Sequence, residues 1–140
     1  MNLEPVVRRA RENDLAAVAE IQAASPEASQ WEVREYLQYD FSVALCGDKI
    51  AGFAVAHLVA PGEAELLNLA VDPAFRRRGL GRRLLRELLS RHPGDLWLEV
   101  RESNIAARNF YKKMGLSECG RRPDYYRNTN EAAIVMNIHS

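Results

Sequence analysis

The sequence predicts an α/β protein of the mixed α+β kind, in which about seven strands form one sheet and four helices cover both of its faces. Two observations lead to this fold class. Short apolar runs rich in β-branched residues alternate with segments of helical periodicity along the chain. In the middle, the order strand, helix, strand, helix requires a central parallel pair of strands joined by a right-handed crossover, whereas the Gly47-Asp48 and Pro61-Gly62 turns join antiparallel neighbours. The length of 140 residues predicts a single domain spanning residues 1–140.

The first half of the chain contains two predicted helices and four predicted strands. Asn13 or Asp14 can cap a helix that ends before Ser25-Pro26, and a second helix is predicted around residues 28–38. The strands are predicted at residues 5–9, 41–46, 49–57 and 63–71. The last of these is nearly continuously apolar in its second half, which is typical of a strand covered on both faces.

The second half begins after Asp72-Pro73, where the apolar period changes from that of a strand to that of a helix. The predicted helix carries leucines on one face, at positions 80, 84, 85, 88 and 89, and ends at His92-Pro93-Gly94. Ser103 or Asn104 can cap a further helix, and Gly115 suits the left-handed cap at its end. Strands are predicted at residues 96–101, near 117–121 and near 132–138.

Charge is unevenly distributed along this neutral chain. Nineteen basic and nineteen acidic side chains give a net charge of zero, which argues against a protein that coats nucleic acid or a membrane with its whole surface. Residues 1–72 carry 5 basic and 12 acidic side chains, whereas residues 73–140 carry 14 and 7. The net charges of the two halves are therefore −7 and +7, and we expect an anionic ligand in the second half.

No feature of the sequence indicates a metal, a disulfide or a membrane anchor. Cys46 and Cys119 are far apart, and the histidines at positions 57, 92 and 139 are scattered, so neither a metal site nor a disulfide framework is expected. The longest apolar run, residues 50–56, is far shorter than the roughly 18 residues of a membrane helix. Residues 1–11 contain no apolar segment typical of a signal peptide. A cytoplasmic protein is predicted.

The densest functional signal lies between the 63–71 strand and the helix that follows it. The sequence Arg-Arg-Arg-Gly-Leu-Gly-Arg occupies positions 76–82, and seven basic residues with one acid fall between Arg76 and Arg91. A helix start offers unpaired backbone N–H groups and the positive end of the helix dipole, and glycines let a phosphate approach the backbone. The pattern favours a pyrophosphate site over the alternative, a solvated arginine face with a turn glycine. A dinucleotide fold and a P-loop are disfavoured, because the third glycine of the first and the Gly-Lys-Ser/Thr of the second are absent.

Four motifs stand in a characteristic order in the second half of the chain. They are Asn-Leu-Ala-Val-Asp-Pro at 68–73, the arginine and glycine run at 76–82, Leu-Trp-Leu-Glu-Val-Arg at 96–101, and S-N-x-A-A-R-x-F-Y-x-x-M-G-L at 103–116. Together they resemble the GNAT superfamily of acetyl-coenzyme A-dependent N-acetyltransferases, and most closely its ribosomal-protein-alanine N-acetyltransferases of the RimI type. The resemblance implies a GNAT-like fold, with a bulge in the 66–71 strand and a splay between it and the 96–101 strand that opens a slot for the cofactor.

The resemblance also implies acetyl-CoA as cosubstrate, no metal, and a set of residues that bind the cosubstrate. The pantetheine arm is expected along the backbone of Leu69, Ala70 and Val71, where a backbone N–H can also polarise the thioester carbonyl. Asn104 is expected to contact the cofactor. The pyrophosphate is expected at the loop and helix start formed by Arg76, Arg77, Arg78, Gly79, Leu80, Gly81 and Arg82.

Two catalytic residues follow from the same resemblance. Glu99 matches the general base, which is needed because an α-amino group with a pKa of roughly 7.7 to 8.0 is mostly protonated at neutral pH. Tyr111 matches the general acid that protonates the coenzyme A thiolate. Without the resemblance, Glu99 fits better as a surface carboxylate paired with an arginine, and Tyr111 as a core aromatic residue beside Phe110.

The acceptor side is predicted from aromatic residues. The resemblance places Trp31 in a segment that helps to shape the peptide groove. It places Tyr125 and Tyr126 in the loop between the last two strands, where their hydroxyls can hydrogen-bond an incoming N-terminus. Two positions depart from the family pattern, since Ala132 stands where an acidic residue is frequent and Asp124 where a basic or amide residue is usual. Both departures concern peptide specificity and leave the cofactor site intact.

The predicted function is therefore transfer of an acetyl group from acetyl-CoA to an amine, by direct attack in a ternary complex. The expected acceptor is the N-terminal α-amino group of a protein, and a small-molecule amine or a lysine side chain is the alternative. A module that binds coenzyme A or RNA without turnover is the alternative of another class. We expect acetyl-CoA and a protein N-terminus as partners, no membrane or specific nucleic acid, and a monomer or weak dimer.

Overall fold

The computed structural model describes residues 5–26, 28, 30–126 and 131–140, and for Asp124 the backbone alone. Its strands form one mixed sheet in the order β1-β2-β3-β4-β5-β7-β6. The strands are β1 (Val6–Arg9), β2 (Asp40–Cys46), β3 (Lys49–Ala60), β4 (Glu63–Val71), β5 (Asp95–Arg101), β6 (Ser117–Tyr126) and β7 (Glu131–His139). Only β4 and β5 run parallel within this sheet, and the other neighbours are antiparallel. The predicted mixed sheet with one parallel pair is confirmed.

Helices cover both faces of the sheet, as predicted. The α-helices are α1 (Leu15–Ala23), α2 (Leu80–Arg91) and α3 (Ile105–Lys113), and 3₁₀ segments span Glu12–Asp14, Val33–Gln38 and Pro73–Phe75. On one face Val18 and Ile21 of α1 pack in a core with Phe53. On the other face Leu85 and Leu88 of α2 pack in a core shared with α3. None of the helices in the described part of the chain is long and apolar enough to cross a membrane.

The second predicted helix, around residues 28–38, is shorter than expected and is a 3₁₀ helix that begins at Val33. Side-chain amides donate hydrogen bonds to backbone carbonyl oxygens that would accept backbone N–H groups in a longer helix. Gln30 donates to the carbonyl oxygens of Ser25 and Ala28, at 3.1 and 3.2 Å. Gln22 donates to the carbonyl oxygen of Trp31 at 2.7 Å. These bonds hold the backbone before Val33 in a non-helical path.

The predicted bulge and splay in the middle of the sheet are confirmed. Along β4, Leu66 pairs with Ala56 of β3 and Asn68 pairs with Val55, so Leu67 is the extra residue of a bulge. The parallel pairing of β4 with β5 covers Glu63, Ala64 and Glu65 only. Beyond Glu65, β4 continues alongside β3 and β5 continues alongside β7. The two central strands therefore separate from each other towards their C-terminal ends.

Candidate functional site

The gap between the two separating strands forms a cleft of about 280 Å³. Its walls are the second half of β4, the second half of β5 and the first turns of α3. Predicted site residues that line the cleft are Leu69, Ala70, Val71, Arg76, Glu99, Asn104, Tyr111 and Tyr126. Residues from all four motifs of the second half of the chain thus meet at one place in the fold.

The wall formed by β4 presents backbone groups to the cleft. Asp72 donates its backbone N–H to Ala51 of β3 at 2.7 Å, in the register that pairs Val71 with Gly52. Because backbone groups in an antiparallel pair alternate in direction, the N–H and C=O groups of Leu69 and Val71 point away from β3. They point to the side from which β5 has separated. The Leu69 N–H bonds Oδ1 of Asn68 at 3.0 Å, so the groups that face a ligand in the cleft are the Leu69 carbonyl and the N–H and carbonyl of Val71.

The start of α2 has the geometry of an anion site. Gly79 caps the helix with a φ of 77°, and a Cβ atom at this position would meet no other atom within 4 Å, so the surrounding space is open. The backbone N–H groups of Leu80, Gly81 and Arg82 have no partner inside the helix, because they belong to its first turn. The Leu80 side chain is buried in the core at 1% exposure, so Leu80 can offer a ligand its backbone only. Gly81 lets Phe110 of α3 approach to 3.3 Å from the position of a Cβ.

Exposed arginines surround this helix start. Arg76, Arg77, Arg78 and Arg82 are all exposed. Arg77 has a φ of 66°, a left-handed conformation that is uncommon for a residue with a side chain. The guanidinium of Arg78 lies 5.1 Å from the centre of the Phe75 ring. Arg76 also lines the cleft, so the basic loop is continuous with it.

Glu99 lies on β5 in the wall opposite β4, and its side chain is 11% exposed. The alternation of β5 places Glu99 on the face opposite Leu98 and Val100, which are buried under α2 and α3. Its Oε1 atom lies 3.4 Å from a guanidinium nitrogen of Arg122. Its Oε2 atom is buried, with no hydrogen-bond partner among the described residues. An amine that entered the cleft would therefore find an acceptor oxygen.

A second carboxylate, Glu65, faces the same region and was missed from the sequence. Glu65 occupies the last position of β4 that still pairs with β5, opposite Trp97. Its pKa is raised, first by burial and then by the negative charge of Glu99, while His57 and Arg122 act in the opposite direction. The alternation of Glu65 with Ala64 and Leu66 was a usable signal, but the sequence does not reveal its proximity to Glu99.

Tyr111 lies at the base of the cleft and also belongs to the core. It is 8% exposed, and its ring packs edge-on against Phe110 with 5.1 Å between ring centres. Burial raises its pKa well above the usual range, so Tyr111 keeps its proton at every physiological pH. Tyr111 lies in the last turn of α3, and its carbonyl oxygen accepts the backbone N–H of Leu116 at 3.0 Å. This bond belongs to a Schellman motif at the helix end, closed by Gly115 with a φ of 103°.

Asn104 is the cap of α3, as predicted. Its Oδ1 atom accepts the backbone N–H of Ala107 at 3.1 Å. The residue nevertheless lines the cleft, so capping and ligand contact are compatible at this position.

Tyr125 and Tyr126 were predicted in the loop between the last two strands, but they are the last two residues of β6, because the pairing of Tyr126 with Glu131 extends that strand. Tyr125 and Tyr126 pack edge-on with 5.0 Å between ring centres, and Tyr126 lines the cleft. The guanidinium of Arg101 stacks 4.0 Å from the centre of the Tyr126 ring. The pKa of Tyr125 is raised, first by burial and then by the charge of Glu99. Ala132 is buried in β7 at 3% exposure, and the Asp124 side chain lies outside the described residues.

Trp31 is one of the predicted residues that do not line the cleft. Its side chain is 46% exposed. Ser25 and Ala28, which precede it, do contribute to the cleft wall. The side chains of Trp31 and Tyr125 therefore belong to the surroundings of the cleft rather than to its lining.

Most of the chain is similar in sequence to known acetyltransferases. A family model described as the acetyltransferase (GNAT) family matches residues 9–116. The ribosomal protein bS18-alanine N-acetyltransferase of Salmonella typhimurium is 46% identical over 95 residues, which are 64% of this chain and 64% of that protein. The matched segment therefore spans less than two thirds of that relative.

Solved structures extend the similarity over nearly the whole fold. The ribosomal-protein-S18-alanine N-acetyltransferase of Escherichia coli superposes with a TM-score of 0.81 at 32% identity, covering 96% of this chain and 93% of that one. Naa20 of Chaetomium thermophilum, solved in complex with a bisubstrate analogue, gives a TM-score of 0.83 at 28% identity, covering 94% and 85%.

Proposed function

This chain belongs to the acetyltransferase (GNAT) family, and we propose that it transfers the acetyl group of acetyl-CoA to the α-amino group of a protein N-terminus. One observation carries the proposal. The cleft between β4 and β5 has a basic helix start at one end and a buried carboxylate, Glu99, in its wall. Such a cleft suits a ligand with a phosphate group at one end and a reactive carbonyl at the other.

The residues of the cleft fit acetyl-CoA, which would supply the acetyl group as an activated thioester. The α2 start and its arginines would bind the pyrophosphate through backbone N–H groups and charge-assisted hydrogen bonds. β5 does not pair with Leu69 and Val71 on the cleft side, and the Leu69 N–H is bonded to Oδ1 of Asn68. The carbonyl of Leu69 and the N–H and carbonyl of Val71 would therefore bind the amide groups of the pantetheine arm. Arg76 connects the two regions.

Glu99 would act as the general base. An α-amino group is mostly protonated at neutral pH and must lose a proton before its lone pair can attack a carbonyl carbon. Glu99 offers a buried acceptor oxygen in the cleft wall. The new bond joins the amine nitrogen to the acetyl carbon, the carbon–sulfur bond breaks, and the proton of the amine goes to Glu99 directly or through one water.

Tyr111 would stabilise the leaving sulfur. Its raised pKa lies far above that of a thiol, roughly 8.5 for cysteine, so a complete proton transfer from Tyr111 to the thiolate runs uphill. The protonated hydroxyl instead donates a hydrogen bond to the developing negative charge. Tyr111 is thus proposed as a hydrogen-bond donor, with the final proton arriving from solvent.

The acceptor side favours a cationic amine. Glu99 and Glu65 place two carboxylates on the same face of the sheet, next to the aromatic pair Tyr125 and Tyr126. Two carboxylates attract the ammonium form of the acceptor to the place where Glu99 can deprotonate it. The solved relative from Escherichia coli, which is named for an alanine of a ribosomal protein, supports a protein N-terminus as this acceptor. The bisubstrate analogue bound to Naa20 supports a ternary complex.

A competition experiment tests the acceptor. The protein is incubated with acetyl-CoA and an equimolar mixture of an alanine-starting peptide, the same peptide with a blocked N-terminus and one lysine, a polyamine and an aminoglycoside. Mass spectrometry should find acetylation of the free N-terminus first. Acetylation of only the small amines, or only the lysine, would overturn the proposed acceptor and keep the transferase, whereas salt-sensitive RNA binding without any product would overturn the transferase itself.

A further inference from the structure

A chain of buried hydrogen bonds links β4 to the backbone carbonyl of Trp31. Asn68 of β4, Gln22 of α1 and Tyr36 of the 3₁₀ helix are 7%, 6% and 0% exposed. Tyr36 donates its hydroxyl to Oε1 of Gln22 at 2.5 Å. Asn68 donates its Nδ2 to that same Oε1 and to the Tyr36 hydroxyl, both at 3.1 Å.

Each end of this chain is a backbone group. Oδ1 of Asn68 accepts the backbone N–H of Leu69 at 3.0 Å. Nε2 of Gln22 donates to the backbone carbonyl of Trp31 at 2.7 Å. The neighbouring residue Gln30 donates in turn to the backbone carbonyl of Gln22 at 2.9 Å. The chain therefore runs from the strand that faces the cleft to the segment that contains Trp31.

The polarity of these bonds permits one arrangement of the two amides. Asn68 must turn its oxygen to the N–H of Leu69, which leaves its nitrogen for Gln22 and Tyr36. Gln22 must turn its nitrogen to the Trp31 carbonyl, which leaves its oxygen for Asn68 and Tyr36. A flip of either amide would set a donor against a donor, and an unpaired buried polar group is costly. The chain therefore fixes the relative position of its two ends.

Both ends belong to the proposed site. The N–H of Leu69 points to the cleft side of β4, where we place the cofactor arm. Trp31 lies in the segment expected to shape the acceptor groove. The residues that link them were not assigned to any site from the sequence. Gln22 and Tyr36 are outside the lining of the cleft, whereas Asn68 contributes to its wall.

We propose that Gln22 and Asn68 are positioning residues that fix the segment containing Trp31, on the acceptor side, relative to β4, which faces the cofactor. This inference rests on the proposed function. Gln22 acts on the acceptor end alone, because its amide reaches Trp31. Asn68 acts on both ends, because it also holds the N–H of Leu69. Loss of Gln22 should therefore weaken acceptor binding, and loss of Asn68 should weaken acceptor and cofactor binding together.

The test compares three single variants, and the double variant Gln22→Met/Asn68→Leu, with the wild-type protein. Gln22→Met keeps the length of the side chain and removes both polar groups, and Gln38→Met makes the same change at an exposed position. Asn68→Leu removes both polar groups of Asn68 at similar volume. For each variant we would measure kcat and KM with an alanine-starting peptide, the acetyl-CoA Kd by calorimetry, and the Tm.

The expected results separate positioning from stability. Gln22→Met should raise the peptide KM about tenfold, the effect of roughly one hydrogen bond on an affinity, with kcat and the acetyl-CoA Kd within about twofold of wild type. Asn68→Leu should raise both the peptide KM and the acetyl-CoA Kd. The double variant should have a peptide KM no higher than Asn68→Leu alone, because both changes break the same chain. Gln38→Met should match the wild type in all four measurements.

Two outcomes would contradict the inference in different ways. The wild type could be active while Gln22→Met has a lower Tm and an unchanged peptide KM. That result would show that the chain of hydrogen bonds has a structural role only. A wild type that acetylates no peptide would overturn the proposed function and this inference with it. If Gln22→Met does not fold, Tyr36→Phe replaces it, since that change removes one hydroxyl and should still raise the peptide KM about threefold.

Discussion

Replacement of Glu99 by glutamine tests whether its carboxylate has a catalytic role or only a structural one. Glu99→Gln keeps the size of the side chain and a hydrogen-bonding group beside Arg122, 3.4 Å away, but it removes the basic oxygen. At pH 7 only roughly a tenth of an α-amine is unprotonated, so loss of the base costs about tenfold from this equilibrium alone. The loss of proton acceptance during the attack adds to that cost. We expect kcat to fall by roughly 10² to 10⁴, about 2.7 to 5.4 kcal/mol in the barrier.

The pH dependence identifies the origin of this loss. Without the base, the acceptor must lose its proton to solvent, so kcat/KM of the variant should rise about tenfold between pH 7 and pH 9 and approach a plateau above the amine pKa. The acetyl-CoA Kd should stay within about threefold of wild type, since Glu99 is not part of the basic loop. Glu63→Gln is the matched control, because Glu63 lies on β4 at the end that stays paired with β5 and is exposed. A variant within threefold of wild-type kcat from pH 6 to pH 9 would refute Glu99 as the base.

Three further predictions concern the leaving group, the phosphates and the fold. Tyr111→Phe should lower kcat about 10- to 100-fold with little change in Tm, and an unchanged kcat would exclude its hydroxyl from the reaction. Arg77→Glu combined with Arg78→Glu should remove the rise in Tm caused by acetyl-CoA, and full thermal stabilisation would contradict the pyrophosphate assignment. Asp14→Asn should destabilise the fold by about 2 kcal/mol at pH 7 in urea unfolding, because Asp14 is buried and Arg8 bonds both of its oxygens at 2.8 and 3.0 Å. The Arg8 bond lowers the pKa of Asp14 in the folded state. The stability that Asp14 contributes is therefore complete above its unfolded pKa near 4 and is lost as the pH falls through the lower folded value. If the two proteins differed in unfolding free energy by the same amount at pH 2 as at pH 7, this role of Asp14 would be contradicted.

Local patterns in the sequence were sufficient for most of the fold. The strand at residues 63–71 has the predicted bounds, because turn residues delimit it on both sides. The Asn104 cap and the left-handed Gly115 were also predicted correctly, since each depends on neighbours within a few positions. The helix expected around residues 28–38 was wrong in length and type, because Gln22 and Gln30 donate to the carbonyl oxygens of Trp31 and Ala28, which a periodicity argument assigns to the helix.

The site was predictable only where a motif marked it. The basic helix start follows from a local pattern, whereas Glu99 follows from the family resemblance, and the structure brings Arg76 of the basic loop and Glu99 to one cleft. Glu65 was missed because its proximity to Glu99 depends on the pairing of β4 with β5, which no local pattern specifies. Asn68 and Gln22 were missed for the same reason, since their hydrogen bond joins residues 46 positions apart.

The central claim is that one cleft binds acetyl-CoA and an N-terminal amine side by side. The most direct test is the calorimetric Kd of a conjugate in which the α-amino group of an alanine-starting peptide is joined to coenzyme A through an acetyl linker. If both halves occupy the cleft together, the conjugate should bind at least 10²-fold more tightly than coenzyme A alone, because the second half binds without a further loss of translational freedom. A conjugate that binds no more tightly than coenzyme A would contradict the claim.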